Sequence, residues 1–220
     1  MSLASGCGGG SEAEGEEGEE APSGIPASLG AAESDAEDIV ALALANDRAR
    51  MRETASELEA DAEEAASGEV EQQRVPEREL RQLRERSADV VELAAGNGQA
   101  LAVALAANDV SALMPALFEH FEPKIPPAVL ELDYLDREAQ LRSLAGENHR
   151  VALAVTGLAA TWRRLRPEVL AAGGEDEAKR FTVHVSAMQR LVRTGGAQAL
   201  QREAVAGLEL VDVLQVVFVR

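Results

Sequence analysis

This chain of 220 residues is long enough for one or two compact cores, and its 46% hydrophobic content is ordinary for a soluble globular protein. A formal net charge of −18 argues against nucleic acid as a partner, because affinity for phosphates comes from Lys and Arg releasing counterions. A DNA mimic with carboxylates patterned on one face stays open, and no apolar run approaches the roughly 20 residues needed to span a bilayer.

The composition of residues 1–24 predicts a disordered tether rather than a folded element. The segment Leu3-Ala4-Ser5-Gly6-Cys7 looks like the small-residue cleavage region at the lipidated cysteine of bacterial lipoproteins, although no apolar signal stretch precedes it. The next residues are rich in Gly and Glu and have too little apolar surface to fold. We therefore expect lipidation of Cys7, membrane attachment and an envelope or periplasmic location. A cytoplasmic protein with an incidental thiol is the alternative.

Beyond the tether the sequence repeats itself with a period of about 100 residues. The matches are Ile25-Pro26 with Ile125-Pro126, Leu44-Ala45 with Leu144-Ala145, Arg50 with Arg150, Leu58 with Leu158, and Phe118 with Phe218. Since solenoids repeat every 20 to 50 residues, this longer period predicts a duplicated small domain. We assign residues 25–122 to repeat 1 and residues 123–220 to repeat 2.

Apolar spacing and local breaks predict about four helices in each repeat. The first helices end at Asn46-Asp47 and at 146–148, and the second helices end at Ser67-Gly68 and at Gly173-Gly174. The third helices span about 76–96 and 175–195, and the fourth about 98–121 and 197–218. Three prolines in 122–127 separate the repeats, because they cannot continue a helix. Short connections imply antiparallel neighbours, so the expected fold is an all-α, internally duplicated, antiparallel up-down helical bundle.

His184 is the most informative of the three histidines. It shares one apolar helix stripe with Phe181 and Met188, and its counterpart in repeat 1 is near Leu83. A hydrogen-bonded core histidine and a ligand-binding or acid–base group both fit this position. We expect His120 near a helix end and His149 exposed, and none of the three lies in a recognised metal-binding spacing.

Polar residues of repeat 2 could converge on His184 from the neighbouring helices. They are Asp133, Tyr134, Arg137 and Glu138 on the first helix, Trp162 and Arg166 on the second, and Glu209 and Asp212 on the fourth. Such a set could bind a small ligand or a divalent metal, or it could form a structural network without a ligand. Repeat 1 has different polar residues at these positions, so repeat 2 is the better candidate for a site.

No catalytic motif is recognisable in the chain. There is no Gly-rich loop after a strand, no Gly-x-Ser-x-Gly and no Cys/His pair, and the single cysteine excludes an internal disulfide. We therefore expect a protein that is not an enzyme and has no cofactor, apart from the metal alternative above.

Four runs of repeat 2 resemble uncharacterised bacterial exported helical lipoproteins. The runs are Leu132-Asp133-Tyr134-Leu135-x-Arg137-Glu138, Trp162-x-x-Leu165-Arg166-Pro167, Phe181-x-x-His184 and Glu209-Leu210-Val211-Asp212. The resemblance covers most of residues 126–218 and implies an envelope location and an all-helical fold, with no assigned activity. The chain is more distantly similar to imelysin-like iron-uptake lipoproteins, which are also duplicated helical bundles, but it lacks their His-x-x-Glu signature.

Three functional hypotheses arise from these observations. The leading one is a non-enzymatic envelope lipoprotein whose helical bundles bind a protein partner or a small ligand. The second is an accessory protein that binds a metal or a small molecule in a polar interior around His184. The third is a cytoplasmic acidic interaction protein without a lipid.

Overall fold

The computed structural model describes residues 24–72, 75–96 and 99–220, without the side chains of 69–72. The predicted tether up to residue 23, Cys7 and the Asn97-Gly98 turn lie outside these ranges. The helices are α1 (Ala27–Leu44), α2 (Arg48–Gln72), α3 (Glu77–Ala95), α4 (Ala100–Ser111), α5 (Met114–Phe118), a 3-10 turn (Glu119–Phe121), α6 (Pro127–Leu144), α7 (Asn148–Ala171), α8 (Glu175–Thr194) and α9 (Ala197–Val219). The predicted all-α fold is confirmed.

The two halves pack their helices in the same order. In the first half α1 contacts α2 and α4, while α3 contacts α2 and α4. In the second half α6 contacts α7 and α9, while α8 contacts α7 and α9. The internal duplication itself stays a prediction, because a shared packing order does not establish a common origin. Helices α4 and α5 also contact α6, which joins the halves.

Local backbone chemistry ends the first helix of each half where the sequence predicts it. Asn46 and Gly146, 100 positions apart, come after α1 and α6 with φ of 57° and 75°. A left-handed residue there stops the helix and lets the last carbonyls find partners. The next helix begins two residues later in both halves, and Asp47 Oδ1 accepts a hydrogen bond from the Arg50 amide at 3.3 Å.

Two predicted helix boundaries were wrong. Helix α2 continues through Ser67-Gly68 to Gln72, because one glycine costs a helix only about 1 kcal/mol and does not stop it unless the backbone turns left-handed. The predicted helix 98–121 is divided, since α4 ends at Ser111 and α5 begins at Met114. Pro115 explains the division, because its ring clashes with the carbonyl four residues earlier and it has no N–H to donate.

Each half has its own aliphatic core, and α6 contributes to both. Leu29, Ile39 and Leu58 are fully buried in the first core. The second core contains Leu158 and Phe181, whereas Leu141 of α6 packs into the first. The two halves therefore share a helix at their junction.

The stretch 100–121 is long and apolar enough to cross a membrane, with a mean hydropathy of 1.6. The expectation that no apolar run approaches this length was therefore wrong. Half of the stretch is buried within the protein, and it is divided between α4, α5 and the 3-10 turn. A core helix of a soluble bundle can have the same length and hydropathy, so this stretch is not evidence for a membrane function.

Candidate functional site

His184 on α8 lies between two carboxyl groups in the second core. Its Nε2 is 3.0 Å from both Asp136 oxygens, and its Nδ1 is 3.0 Å from Glu203 Oε1. The histidine side chain is 1% exposed and that of Asp136 is fully buried. We call Asp136, His184 and Glu203 the His184 cluster.

The charge state of the His184 cluster is decided by its hydrogen bonds. Burial alone would lower the pKa of His184, but the hydrogen bonds and charges of Asp136 and Glu203 outweigh it and raise the pKa. A neutral imidazole donates from one nitrogen only, whereas an imidazolium donates from both. An imidazolium satisfies both partners when they are ionised. Burial raises the pKa of Asp136, and the hydrogen bond and charge of His184 oppose this.

Gly207 on α9 makes room for the His184 cluster. A Cβ at this position would lie 2.4 Å from Asp136 Oδ2 and 2.6 Å from His184 Cε1. On the other side, the Phe181 ring meets the imidazole edge-on with centroids 5.2 Å apart. Trp162 packs on Phe181 and donates from Nε1 to Thr182 Oγ1 at 3.1 Å. The cluster is thus held in a closely fitted interior.

The geometry of His184 is that of a hydrogen-bonded core histidine. Both ring nitrogens are occupied by carboxylates, so neither is free to ligate a metal. Within residues 24–72, 75–96 and 99–220, no group of three or more His, Cys, Asp or Glu side chains is placed to hold a metal ion. The predicted metal role stays a prediction that this geometry does not support.

The predicted polar set does not converge on His184. Tyr134 is partly buried elsewhere on α6, while Arg166 and Glu209 are exposed. Glu138 accepts hydrogen bonds from Asn108 and Arg142 at 3.1 and 2.7 Å. Trp162 reaches the histidine only through Phe181. Ligand binding by these residues stays a prediction.

Asp133 and Arg137 instead meet α1 at the junction of the two halves, while Asp212 is exposed and feels the charge of Glu37. Arg137 Nη2 donates to Asp133 Oδ2 and, at 2.7 Å, to Glu37 Oε1. Glu37 in turn shares a hydrogen bond with Glu33. Arg137 is 8% exposed, and its Nη1 has no hydrogen-bond partner in the described part of the chain. We call Glu33, Glu37, Asp133 and Arg137 the Arg137 cluster.

The Arg137 cluster has three carboxyl groups for one guanidinium. Burial, together with the charge of Glu37, raises the pKa of Glu33 to about 9. Burial also raises the pKa of Asp133 to about 8, although the charge of Arg137 opposes this. Burial acts in the same direction on Glu37, but hydrogen bonds from Asp133 and the charge of Arg137 lower its pKa. At neutral pH Glu33 and Asp133 therefore carry protons. Glu37 is the ionised carboxylate that balances the charge of Arg137.

An apolar pocket of about 340 Å³ adjoins the Arg137 cluster, and we call it the junction pocket. It lies where the start of α1, the end of α5, the connection 123–125, α6 and α9 meet. Most of its wall is apolar. The lining residues are Ile25, Pro26, Ala27, Gly30, Phe118, Pro123, Ile125 and Leu130, with Glu33, Lys124 and Gln215 as the polar ones. Glu33 belongs to both the pocket and the cluster.

A second depression, of about 360 Å³, lies beside the His184 cluster and is open to solvent. It is lined by Lys179, Arg180, Val183, His184, Glu203 and Leu210. Since His184 is almost fully buried and Glu203 is already paired with it, this depression presents no unpartnered group of the cluster.

Sequence reasoning missed Asp136 and Glu203, and also Glu33 and Glu37 as site residues. For Asp136 a signal existed, because it lies four residues after Leu132 and three before Ala139, on the apolar face of α6. A charged residue on such a face needs a buried partner. Glu33 and Glu37 carry no comparable signal, since their partner Arg137 lies in the other half.

No family model matches this chain, and no curated protein and no solved structure matches it either. The resemblance to exported helical lipoproteins therefore stays a prediction. What the protein does has to be argued from its own geometry.

Proposed function

We propose that this is a non-enzymatic binding protein that holds a small apolar ligand in the junction pocket. The pocket carries the proposal, because it combines a mostly apolar wall with one partly buried carboxyl group, that of Glu33. Its volume of about 340 Å³ lies in the range of about 300–1,000 Å³ that is usual for small-molecule sites. A few polar groups in an otherwise apolar pocket fix a ligand's orientation.

The position of the pocket also supports a binding function. Small-molecule sites occur preferentially where domains or helical units meet, and this pocket is built by α1 and α5 of the first half and by α6 and α9 of the second. A ligand that contacts both halves would stabilise their packing, because anything that binds only the native state raises its stability.

A substitution that fills the junction pocket with a side chain tests the proposed binding function. Gly30 lies in α1 and lines the pocket, and a Cβ there would meet nothing within 4 Å. Gly30→Leu should fill the cavity and abolish binding while slightly stabilising α1, since leucine is the better helix former by about 0.5–1 kcal/mol. Gly68→Leu is the matched control, because Gly68 is also helical, has open space around it and lies outside the pocket lining.

The measurement is calorimetric titration with an apolar probe, 1-decanol, supported by thermal shift. Wild type and Gly68→Leu should bind it, and Gly30→Leu should not. Failure of the wild type to bind any apolar probe, or equal binding by Gly30→Leu, would remove the proposed function.

The envelope location is a separate proposal that rests on Cys7 and its neighbours in the sequence. Mass spectrometry of the protein expressed from its native gene in a bacterial host should show a diacylglyceryl group on Cys7. An unmodified cysteine on a protein recovered from the cytoplasm would favour the cytoplasmic alternative.

A further inference from the structure

We propose that the ligand of the junction pocket is an amphiphilic amine, with its apolar chain inside the pocket and its ammonium group on the Glu33 carboxylate. This inference rests on the proposed function and specifies the chemical class of the ligand. Its basis is the position of Glu33, which lines an apolar pocket and at the same time belongs to a cluster with too few cations.

The charges of the Arg137 cluster favour a cation. Glu37 and Asp133 both bind the Nη2 of Arg137, and Glu33 reaches the guanidinium only through Glu37. Glu33 is thus the carboxyl group without a cation of its own. An ammonium ion beside Glu33 would complete a second ion pair, and a hydrogen-bonded pair is what a buried charge requires.

Binding would exchange one proton for the ammonium ion. In the free protein burial keeps a proton on Glu33, whose pKa is raised to about 9. When the alkylammonium binds, that proton leaves to solvent, and the new carboxylate accepts hydrogen bonds from the N–H groups of the ligand. No bond to carbon forms or breaks, and charge balances because one cation enters as one proton leaves.

An anionic amphiphile fits the pocket less well. Lys124 lines the pocket and could pair with an anionic head group, but it is exposed and therefore already solvated. Glu37 on the same helix and Asp133 on α6 lie near Glu33, and Arg137 is the one buried cation placed against them in the described chain. These carboxyl groups and a formal net charge of −18 oppose an anion.

Three probes with the same chain test the inference: decylamine, 1-decanol and sodium decanoate, titrated into the 220-residue protein at pH 7 below their micelle concentrations. Decylamine should bind at least about tenfold more tightly than decanol, and decanoate most weakly. In buffers with different ionisation heats, the decylamine titration should show release of about one proton.

Glu33→Gln isolates the charge, because glutamine keeps the shape and can still hydrogen-bond to Glu37. This variant should lose the tenfold advantage of decylamine over decanol. Glu64→Gln, an exposed change on α2 outside the pocket lining, is the matched control and should keep the advantage. Wild-type affinity for decylamine should also rise between pH 6 and pH 9 as Glu33 gives up its proton, whereas decanol affinity should not.

The outcomes separate this inference from the proposed function. If no probe binds the wild type, the proposed function fails. If decanol or decanoate binds as tightly as decylamine, or Glu33→Gln keeps the full preference, the pocket is a binding site but the amine inference is wrong.

Discussion

The His184 cluster and the Arg137 cluster differ in how completely their charges are satisfied. In the His184 cluster, one imidazole lies between two carboxyl groups and both of its nitrogens are paired. In the Arg137 cluster, three carboxyl groups share one guanidinium whose Nη1 is left without a partner in the described chain. The first is enclosed by Phe181 and Gly207, and the second adjoins an apolar pocket.

This difference separates a structural role from a binding role. A buried network whose members are all paired has nothing left to offer a ligand. A cluster with more carboxyl groups than cations beside a cavity can exchange one of its protons for an incoming cation. We therefore propose that the His184 cluster stabilises the second half and that the Arg137 cluster takes part in ligand binding.

The first half has aliphatic residues at the positions that the predicted repeat pairs with Asp136 and His184. Ala36, which stands 100 residues before Asp136, is fully buried, and so is Leu83, near the position predicted to correspond to His184.

The largest predicted effect is that of His184→Leu. It leaves Asp136 buried without its partner, and breaking a buried ion pair in this way costs about 3–5 kcal/mol. Urea unfolding followed by circular dichroism measures the loss. Combining His184→Leu with Asp136→Ala copies the first half and should recover most of it, to within about 1 kcal/mol of the wild type. A double variant as unstable as the single one would contradict the comparison.

Gly207→Ala should have the next largest effect. The new methyl group would lie within 2.6 Å of both Asp136 and His184, so helix α9 or the cluster must move, at a cost of about 1–3 kcal/mol. The same urea measurement applies, with Gly30→Ala as control, since a Cβ at Gly30 has open space. Unchanged stability of Gly207→Ala would mean that the cluster is not closely enclosed.

Stability should fall as pH rises from about 5 to about 9. His184 has a raised pKa, so its contribution is complete below its unfolded value of about 6.5 and is lost as pH passes its folded value. Burial also raises the pKa of Asp35, Asp133 and Glu33, to about 7, 8 and 9 respectively. These groups keep protons in the folded state that they lose near pH 4 when unfolded, which again lowers stability as pH rises.

Unfolding in urea at a series of pH values tests this trend. Among the members of the Arg137 cluster, only Glu37 has a lowered pKa, which makes stability rise with pH. This rise occurs at pH values below the usual pKa range of a glutamate. A stability that increases steadily from pH 5 to pH 9 would contradict the assigned charge states.

Glu33→Gln should have the smallest effect on stability near pH 4. There Glu33 is protonated in the folded chain and mostly protonated in the unfolded chain, so a neutral amide of the same shape should change stability by no more than about 0.5 kcal/mol. From pH 5 upwards the variant should become the more stable protein, because the folded wild type keeps a proton on Glu33 that its unfolded chain has released. A loss of several kcal/mol at pH 7 would show that Glu33 is ionised in the free protein.

The sequence predicted those features that local chemistry decides. Asn46 and Gly146 stop helices through their own backbone preferences, and Asp133 and Arg137 pair because they are four residues apart on one helix. Gly68 was misread because a glycine stops a helix only where the chain can turn, which depends on the residues after it. The pairing of Glu37 with Arg137 and of Asp136 with His184 depends on how separate helices pack, and no local pattern contains that information.

The most direct test of this division of roles is a decylamine titration of two variants side by side. The double variant Asp136→Ala/His184→Leu dismantles the His184 cluster, and Glu33→Gln alters the cluster beside the pocket. We predict that the double variant binds decylamine within about threefold of the wild type, while Glu33→Gln loses about tenfold. If the double variant loses as much affinity as Glu33→Gln, or Glu33→Gln loses none, the separation of the two clusters into structural and binding roles is wrong.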